Sequence, residues 1–201
     1  MIRLDSVYLK RDTKKNFSNL NFWVQENEKV LISGKSGIGK STFFKVLLGF
    51  ETVDKGSVLF NKYKIAKEHI KTIRQQIFYL SQDIDLQNEK LKNLLDQIFE
   101  QNLNKNRIDQ LTELLSLLEL NNKILEQTTN ELSGGERQRI GLLICFILNR
   151  PVWLLDEPTS ALDNTMKKKI ADYVLKQDKT VVIISHDAVW TAANKIKIER
   201  W

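Results

Sequence analysis

The sequence predicts an α/β fold with a mainly parallel sheet between helices and a helical insert, and three observations lead there. Val152-Trp153-Leu154-Leu155 and Thr180-Val181-Val182-Ile183-Ile184 are unbroken apolar runs, the pattern of strands buried on both faces. Lys29-Val30-Leu31-Ile32-Ser33 reads as a short buried strand that enters a glycine-rich turn and then a helix, a strand–loop–helix unit of parallel folds. Between Leu91 and Leu120 the spacing changes: Leu91, Leu94, Leu95, Ile98, Phe99 and then Ile108, Leu111, Leu115 and Leu118 recur at helical intervals.

Taken in order, the alternating Ile2, Leu4 and then Leu20, Phe22, Val24 predict edge strands at the start. Ser41 to Leu48 has no helix breaker before Gly49, and Ser57–Phe60 and Ile77–Leu80 read as further strands. A second long helix is expected from Gly135 to about Asn149. There is no internal repeat or long linker, so the 201 residues are expected to form one domain, with 1–82 and 133–201 as core and 83–132 as helical subdomain.

An apolar fraction of 42% and a charged fraction of 28% are those of a folded globular chain. The net charge of +6 is ordinary for a domain of this size, and the lysines are scattered. Lys167-Lys168-Lys169 and the group Lys62, Lys64, Lys67 lack interleaved aromatics, so they are expected on solvated faces and no nucleic-acid partner is expected. The longest apolar stretch, Ile140 to Leu148, falls short of the roughly 20 residues of a membrane span. Its Cys145 is expected to be a buried, inert thiol. Met1-Ile2-Arg3-Leu4 reads as strand rather than leader, which makes the cytoplasm the expected compartment.

Five of the eight glycines fall in two short segments. Gly34-Lys35-Ser36-Gly37-Ile38-Gly39-Lys40-Ser41 matches the P-loop pattern between a strand and a helix, and Thr42 is counted with it. Glycines there let backbone N–H groups turn inward around phosphate oxygens, with the helix N-terminus adding its positive dipole end. Lys40 would reach the β- and γ-phosphates of ATP, and Ser41 would bind Mg²⁺. The strand Val152–Leu155 ends in Asp156-Glu157, where alternation directs one carboxylate to the metal and the next to a water; Asp156 is assigned to Mg²⁺ and Glu157 to the general base. The third element, Leu132-Ser133-Gly134-Gly135-Glu136-Arg137-Gln138, opens a helix; Ser133 suffices as cap, and Gly134 and Gly135 add bare N–H groups suited to a second anion.

These segments, in this order, resemble the ABC family of ATPases, whose signature is the Leu132–Glu136 segment, and the resemblance spans essentially the whole chain. It implies a P-loop NTPase core with a mainly parallel sheet, an antiparallel β subdomain and an inserted α-helical subdomain. Gln82 in Tyr79-Leu80-Ser81-Gln82 resembles the family's Q-loop glutamine, counted with the catalytic and metal-binding residues. Ser160-Ala161-Leu162-Asp163 resembles the D-loop, with Asp163 near nucleotide, and His186 in Ile184-Ser185-His186-Asp187 resembles the switch histidine, which contacts the γ-phosphate. The resemblance also implies that two copies stack head to tail, each ATP lying between the P-loop of one and Ser133-Gly134-Gly135 of the other.

Two positions depart from the family. The residue that usually stacks on adenine falls on or near Arg11, with Tyr8 slightly early; either Arg11 stacks through its guanidinium or the base is loosely held. Ile144-Cys145 stands where an arginine and a small residue are common, read as altered packing. With no second P-loop and no heptad insertion, the expected role is the ATPase subunit that drives a separate transmembrane permease from the inner face of the membrane. The alternative is a soluble ABC ATPase of regulation or repair. Permease docking is expected around Gln82 to Leu95, and Ile73–Tyr79 bears a faint resemblance to ATPases of metal or iron export.

Overall fold

Successive residues of the central strands point to opposite sides of a sheet, and both sides are covered. The computed structural model describes residues 1–11, 14–102, 107–192 and 195–201. Along them run β1 (Ile2–Arg11), β2 (Lys14–Val24), β3 (Lys29–Ser33), α1 (Lys40–Leu47), β4 (Lys55–Phe60), β5 (Tyr63–Lys64), α2 (Ile70–Gln76) and β6 (Ile77–Leu80). The insert carries α3 (Leu91–Asn102) and α4 (Arg107–Leu117), and α5 (Gly134–Leu148), β7 (Val152–Asp156), α6 (Asn164–Lys176), β8 (Thr180–Ile184), α7 (Ala188–Thr191) and β9 (Lys197–Arg200) follow.

Five strands form a sheet in the order β6-β7-β8-β3-β9, every neighbouring pair parallel. Val30, Ile32, Val152, Leu154, Val182 and Ile184 face one way, onto Phe43 and Phe44 of α1 and onto Ile2, Leu4 and Phe22. Leu31, Trp153, Leu155, Val181 and Ile183 face the other way, onto Leu142, Cys145 and Phe146 of α5 and Ile170 and Val174 of α6. That two-sided burial is why β7 is apolar from Val152 to Leu155 and β8 from Val181 to Ile184. The insert has no separate centre: Leu91, Leu95, Phe99, Leu114 and Leu118 belong to the same buried cluster as α5.

The second sheet is antiparallel, in the order β2-β1-β4-β5. Here one expectation is corrected. β2 is an edge strand, but β1 lies inside, paired with both β2 and β4. Alternation reports which face is buried; it carries no information about how many neighbours a strand has. α5 starts one residue earlier than expected, at Gly134, and ends at Leu148, where Asn149 adopts the left-handed conformation that commonly closes a helix. Cys145 is fully buried, and burial pushes its thiol well above the ordinary range, consistent with an inert packing role.

The lysine triplet is the second correction. Lys168 is exposed, yet Lys169 pairs with Glu119 and Lys167 pairs with Asp187 in the loop after β8, with both Lys167 and Asp187 side chains only about a fifth exposed. Thr159 also donates to Asp187, and the Trp190 indole N–H donates to Thr159. Burial alone would raise the Asp187 carboxyl, but the bonds from Lys167 and Thr159 and the Lys167 charge outweigh it and hold the group below its usual range. A depressed folded-state pKa gives stability that is present above the unfolded value and lost as pH falls through the folded one. Lys167→Met should therefore cost about 1.5–3 kcal/mol at neutral pH. The deficit should shrink as pH drops below about 4. Denaturant melts of both proteins across pH check this, and a pH-independent deficit would refute the electrostatic account.

Candidate functional site

Because β3, β6, β7 and β8 are parallel, the loops that leave their carboxyl ends emerge at one edge of the sheet, the usual place for a site in such folds. Ser36, Gly37, Gly39, Lys40, Ser41 and Thr42 from the first loop meet Gln82, Asp156, Glu157, Ser160, Ile184 and His186 there. Together they line one cleft of about 400 Å³. Residues separated by well over a hundred positions thus face a common space.

The loop after β3 is shaped by its glycines. Gly37 and Gly39 hold φ of 81° and 106°, left-handed values that strain other residues. No side chain caps α1 at Gly39, so its first N–H groups are turned toward whatever enters the loop. At the loop base, a Cβ on Gly34 would sit 2.4 Å from the Trp201 carbonyl oxygen. The approach is that close because the Trp201 N–H donates to Ser33 O at 2.9 Å, continuing the β9 pairing. Lys40, 7% exposed, spans the loop: its Nζ donates to Gly34 O at 2.6 Å and Lys35 O at 3.0 Å. Ile38 stands at the loop tip, partly exposed, beside Phe17 and Trp201.

Asp156 ends β7 almost fully buried. Burial raises its carboxyl, a hydrogen bond with Ser41 pulls it down, and the neighbouring Glu157 charge pushes it up again. Ser41, Asp156 and Gln82 therefore present oxygen donors to one cavity, the ligand chemistry of a small hard cation rather than of a thiophilic metal.

Glu157 takes φ 48°, a left-handed conformation uncommon outside glycine and frequent at working sites. Its N–H donates to Ile184 O at 2.8 Å. Its Oε2 accepts from the Ser185 hydroxyl at 3.0 Å and the His186 N–H at 3.4 Å, and its Oε1 lies 3.9 Å from His186 Nε2. The acid and the imidazole are thus held on one spot in the cleft.

Other expected residues lie elsewhere on the chain. Ser133 caps α5 through a reciprocal bond pair with Glu136, and Gly134 and Gly135 form the first turn. They do not line the cleft. A Cβ on Gly134 would meet nothing within 4 Å. Asp163 caps α6, accepting from Met166 N–H at 3.0 Å. Tyr8 sits where β1 pairs with β4, partly exposed and not among the residues that line the cleft, and the side chain of Arg11 lies outside the described residues. Sequence reasoning assigned no role to Ser185 or Ser160; adjacency to His186 and membership of the Ser160–Asp163 segment were the signals present.

The chain matches the family described as ABC transporter over residues 17–160. The lipoprotein-releasing system ATP-binding protein LolD of Treponema denticola is 33% identical over 186 residues, which cover 85% of this chain and 80% of that protein. The ATP-dependent lipid A-core flippase of Idiomarina loihiensis is 30% identical over 185 residues, 88% of this chain but 32% of the flippase. The chain thus spans about a third of the length of the flippases it matches. A dimeric structure of a bacterial ABC transporter cassette superposes with a TM-score of 0.83 at 27% identity, covering 100% of this chain and 94% of that one. The same cassette, in a dimeric post-hydrolysis state bound to ADP and Pi, superposes at 0.82 and 27%, covering 98% and 94%.

Proposed function

The chain belongs to the ABC transporter family, and on that premise we propose that it is an ATP-binding, ATP-hydrolysing subunit, two copies of which pair head to tail on ATP and drive a separate transmembrane permease from the inner face of the membrane. Residues 1–201 would act as one ATPase domain, with 1–82 and 133–201 as core and 83–132 as helical subdomain. The observation that carries the reading is an asymmetry. One chain brings the P-loop, Gln82, Asp156, Glu157 and His186 to a single cleft, yet leaves Gly134 and Gly135 outside it, in the first turn of a helix capped by Ser133 and Glu136. A glycine-lined helix end of that kind favours an anion brought by another molecule. A second copy supplies one.

Within the cleft, loop N–H groups and Lys40 would hold the β- and γ-phosphates, assisted by Thr42. Ser41, Asp156 and Gln82 would hold Mg²⁺, which suits few protein oxygens plus substrate phosphates; when bound it offsets charge on the phosphates. Glu157 would take a proton from water as the oxygen attacks the γ-phosphorus; the bond to the β–γ bridging oxygen breaks and ADP leaves. His186 would stabilise charge on the γ-phosphoryl oxygens. Ser133, Gly134 and Gly135 of one copy, with Asp163 nearby, would face the nucleotide of the other. Loss of the γ-phosphate removes the contact that favours the closed pair, so the copies separate.

Support for the dimer comes from the paired cassette that this fold resembles over its whole length. Support for a membrane partner comes from the relatives, an ATP-binding protein of a lipoprotein-releasing system and lipid A-core flippases. The decisive experiment mixes two inactive variants. Lys40→Ala disables the P-loop, and Gly134→Glu places a negative charge where a neighbour's phosphates would approach, from a Cβ that would meet nothing of its own chain within 4 Å. In a head-to-tail pair one of the two sites combines an intact P-loop with an intact signature, so the mixture should hydrolyse ATP while neither variant alone does. A mixture as inactive as its components would sink the arrangement.

A further inference from the structure

We propose that Gln138 is a positioning residue that holds the Glu157 peptide and the turn after it in working register. The inference rests on the assignment of Glu157 as general base. Gln138 lies one turn inside α5 and is 4% exposed. Among the described buried residues of that helix it alone carries an amide side chain; the others are apolar or glycine apart from Cys145. An amide is costly to bury unless its groups are paired.

Both of its arms are paired across one turn. Nε2 donates to Glu157 O at 2.7 Å and to Ser160 Oγ at 3.3 Å, while Oε1 accepts from Ala161 N–H at 2.8 Å. The residue so gripped is the one at φ 48°, a conformation that persists where surrounding contacts enforce it. Ser160 Oγ also donates to Glu157 O at 3.2 Å, so the carbonyl is clamped from within the turn and from α5. The carboxylate end is held separately by Ser185. Gln138 thus fixes the backbone from which the base projects, and it does so from the helix whose first turn is Gly134-Gly135. The backbone of Glu157 and that helix are thereby joined through one side chain.

The test uses steady-state ATP hydrolysis by the full chain. Gln138→Met keeps length and removes all three bonds. A catalytic group misplaced by about 1 Å can lose on the order of 10²-fold, so kcat should fall at least about tenfold with KM for MgATP little changed. Gln138→Glu supplies a readout that packing alone would not move. As a carboxylate it accepts from Ala161 but opposes Glu157 O; protonated, it donates to that oxygen as the amide does. Burial raises such a carboxyl, so its kcat relative to wild type should climb as pH falls from about 8 to about 6. The Gln138→Met ratio should stay flat.

A kcat for Gln138→Met within about twofold of wild type overturns the proposal, and so does a pH-independent ratio for Gln138→Glu, which decides the matter if the methionine variant fails to fold. Glu157→Gln, measured alongside, separates the two readings. If it is inactive while Gln138→Met is unimpaired, the positioning role fails and the base stands. If Glu157→Gln still turns over, the base assignment itself has failed.

Discussion

Glu157→Gln should reduce ATP turnover by about 10²–10⁴-fold, the usual worth of a general base, while leaving nucleotide affinity intact. The substitution is isosteric, and its amide oxygen can still accept from Ser185 and from the His186 N–H as the carboxylate does. The left-handed backbone is no harder for glutamine than for glutamate. Lys40, Ser41 and Asp156 are untouched, so phosphates and metal should bind as before. With hydrolysis stopped and binding preserved, excess MgATP should accumulate the closed pair, visible as a dimer by sedimentation. Turnover within tenfold of wild type would remove Glu157 from its role. A strictly monomeric Glu157→Gln protein in saturating MgATP would count against the sandwich as well.

His186→Ala should be nearly as severe, costing about 3–4 kcal/mol of barrier, as loss of one charge-stabilising donor does elsewhere. The imidazole is over half exposed, and the bond it shares with Glu157 runs from the main-chain N–H, which alanine retains. Folding should therefore be almost unaffected. The measurement is kcat beside melting temperature: a steep loss in the first with a shift of no more than a degree or two in the second. A rate close to wild type would show that Glu157 and Lys40 suffice without the imidazole.

Much of the fold was legible because strong local signals happened to coincide with tertiary need. β7 and β8 could be read from unbroken apolar runs, and those runs exist because β7 packs Trp153 and Leu155 one way and Val152 and Leu154 the other, as β8 does with Val181 and Ile183 against Val182 and Ile184. The loop from Gly34 to Ser41 could be read because its glycines serve a shape set within a few residues. β9 and α2 were not foreseen. Lys197–Arg200 has no buried position among its residues, and what makes it a strand is pairing with β3, which lies far upstream. Ile70–Gln76 is seven residues long and buries Ile73 alone, too little for a period to show.

The sequence by itself determined the kinds of chemistry present: a phosphate loop, two acids at a strand end, a serine-capped glycine helix start, a histidine after a strand. Each of these depends on neighbours within a turn or two, where covalent connection enforces proximity. The tertiary structure decided which of them meet. Parallel pairing of β6, β7, β8 and β3 carries Gln82, Asp156, Glu157 and His186 to the rim that holds Lys40, and keeps Ser133, Gly134 and Gly135 off it. It also turned Lys167 from a solvated cation into the partner of Asp187, and gave Gln138 its bond to the Glu157 carbonyl. Such contacts join residues 19 or 20 positions apart or more, and their formation rests on strand register and helix placement, which no local periodicity encodes.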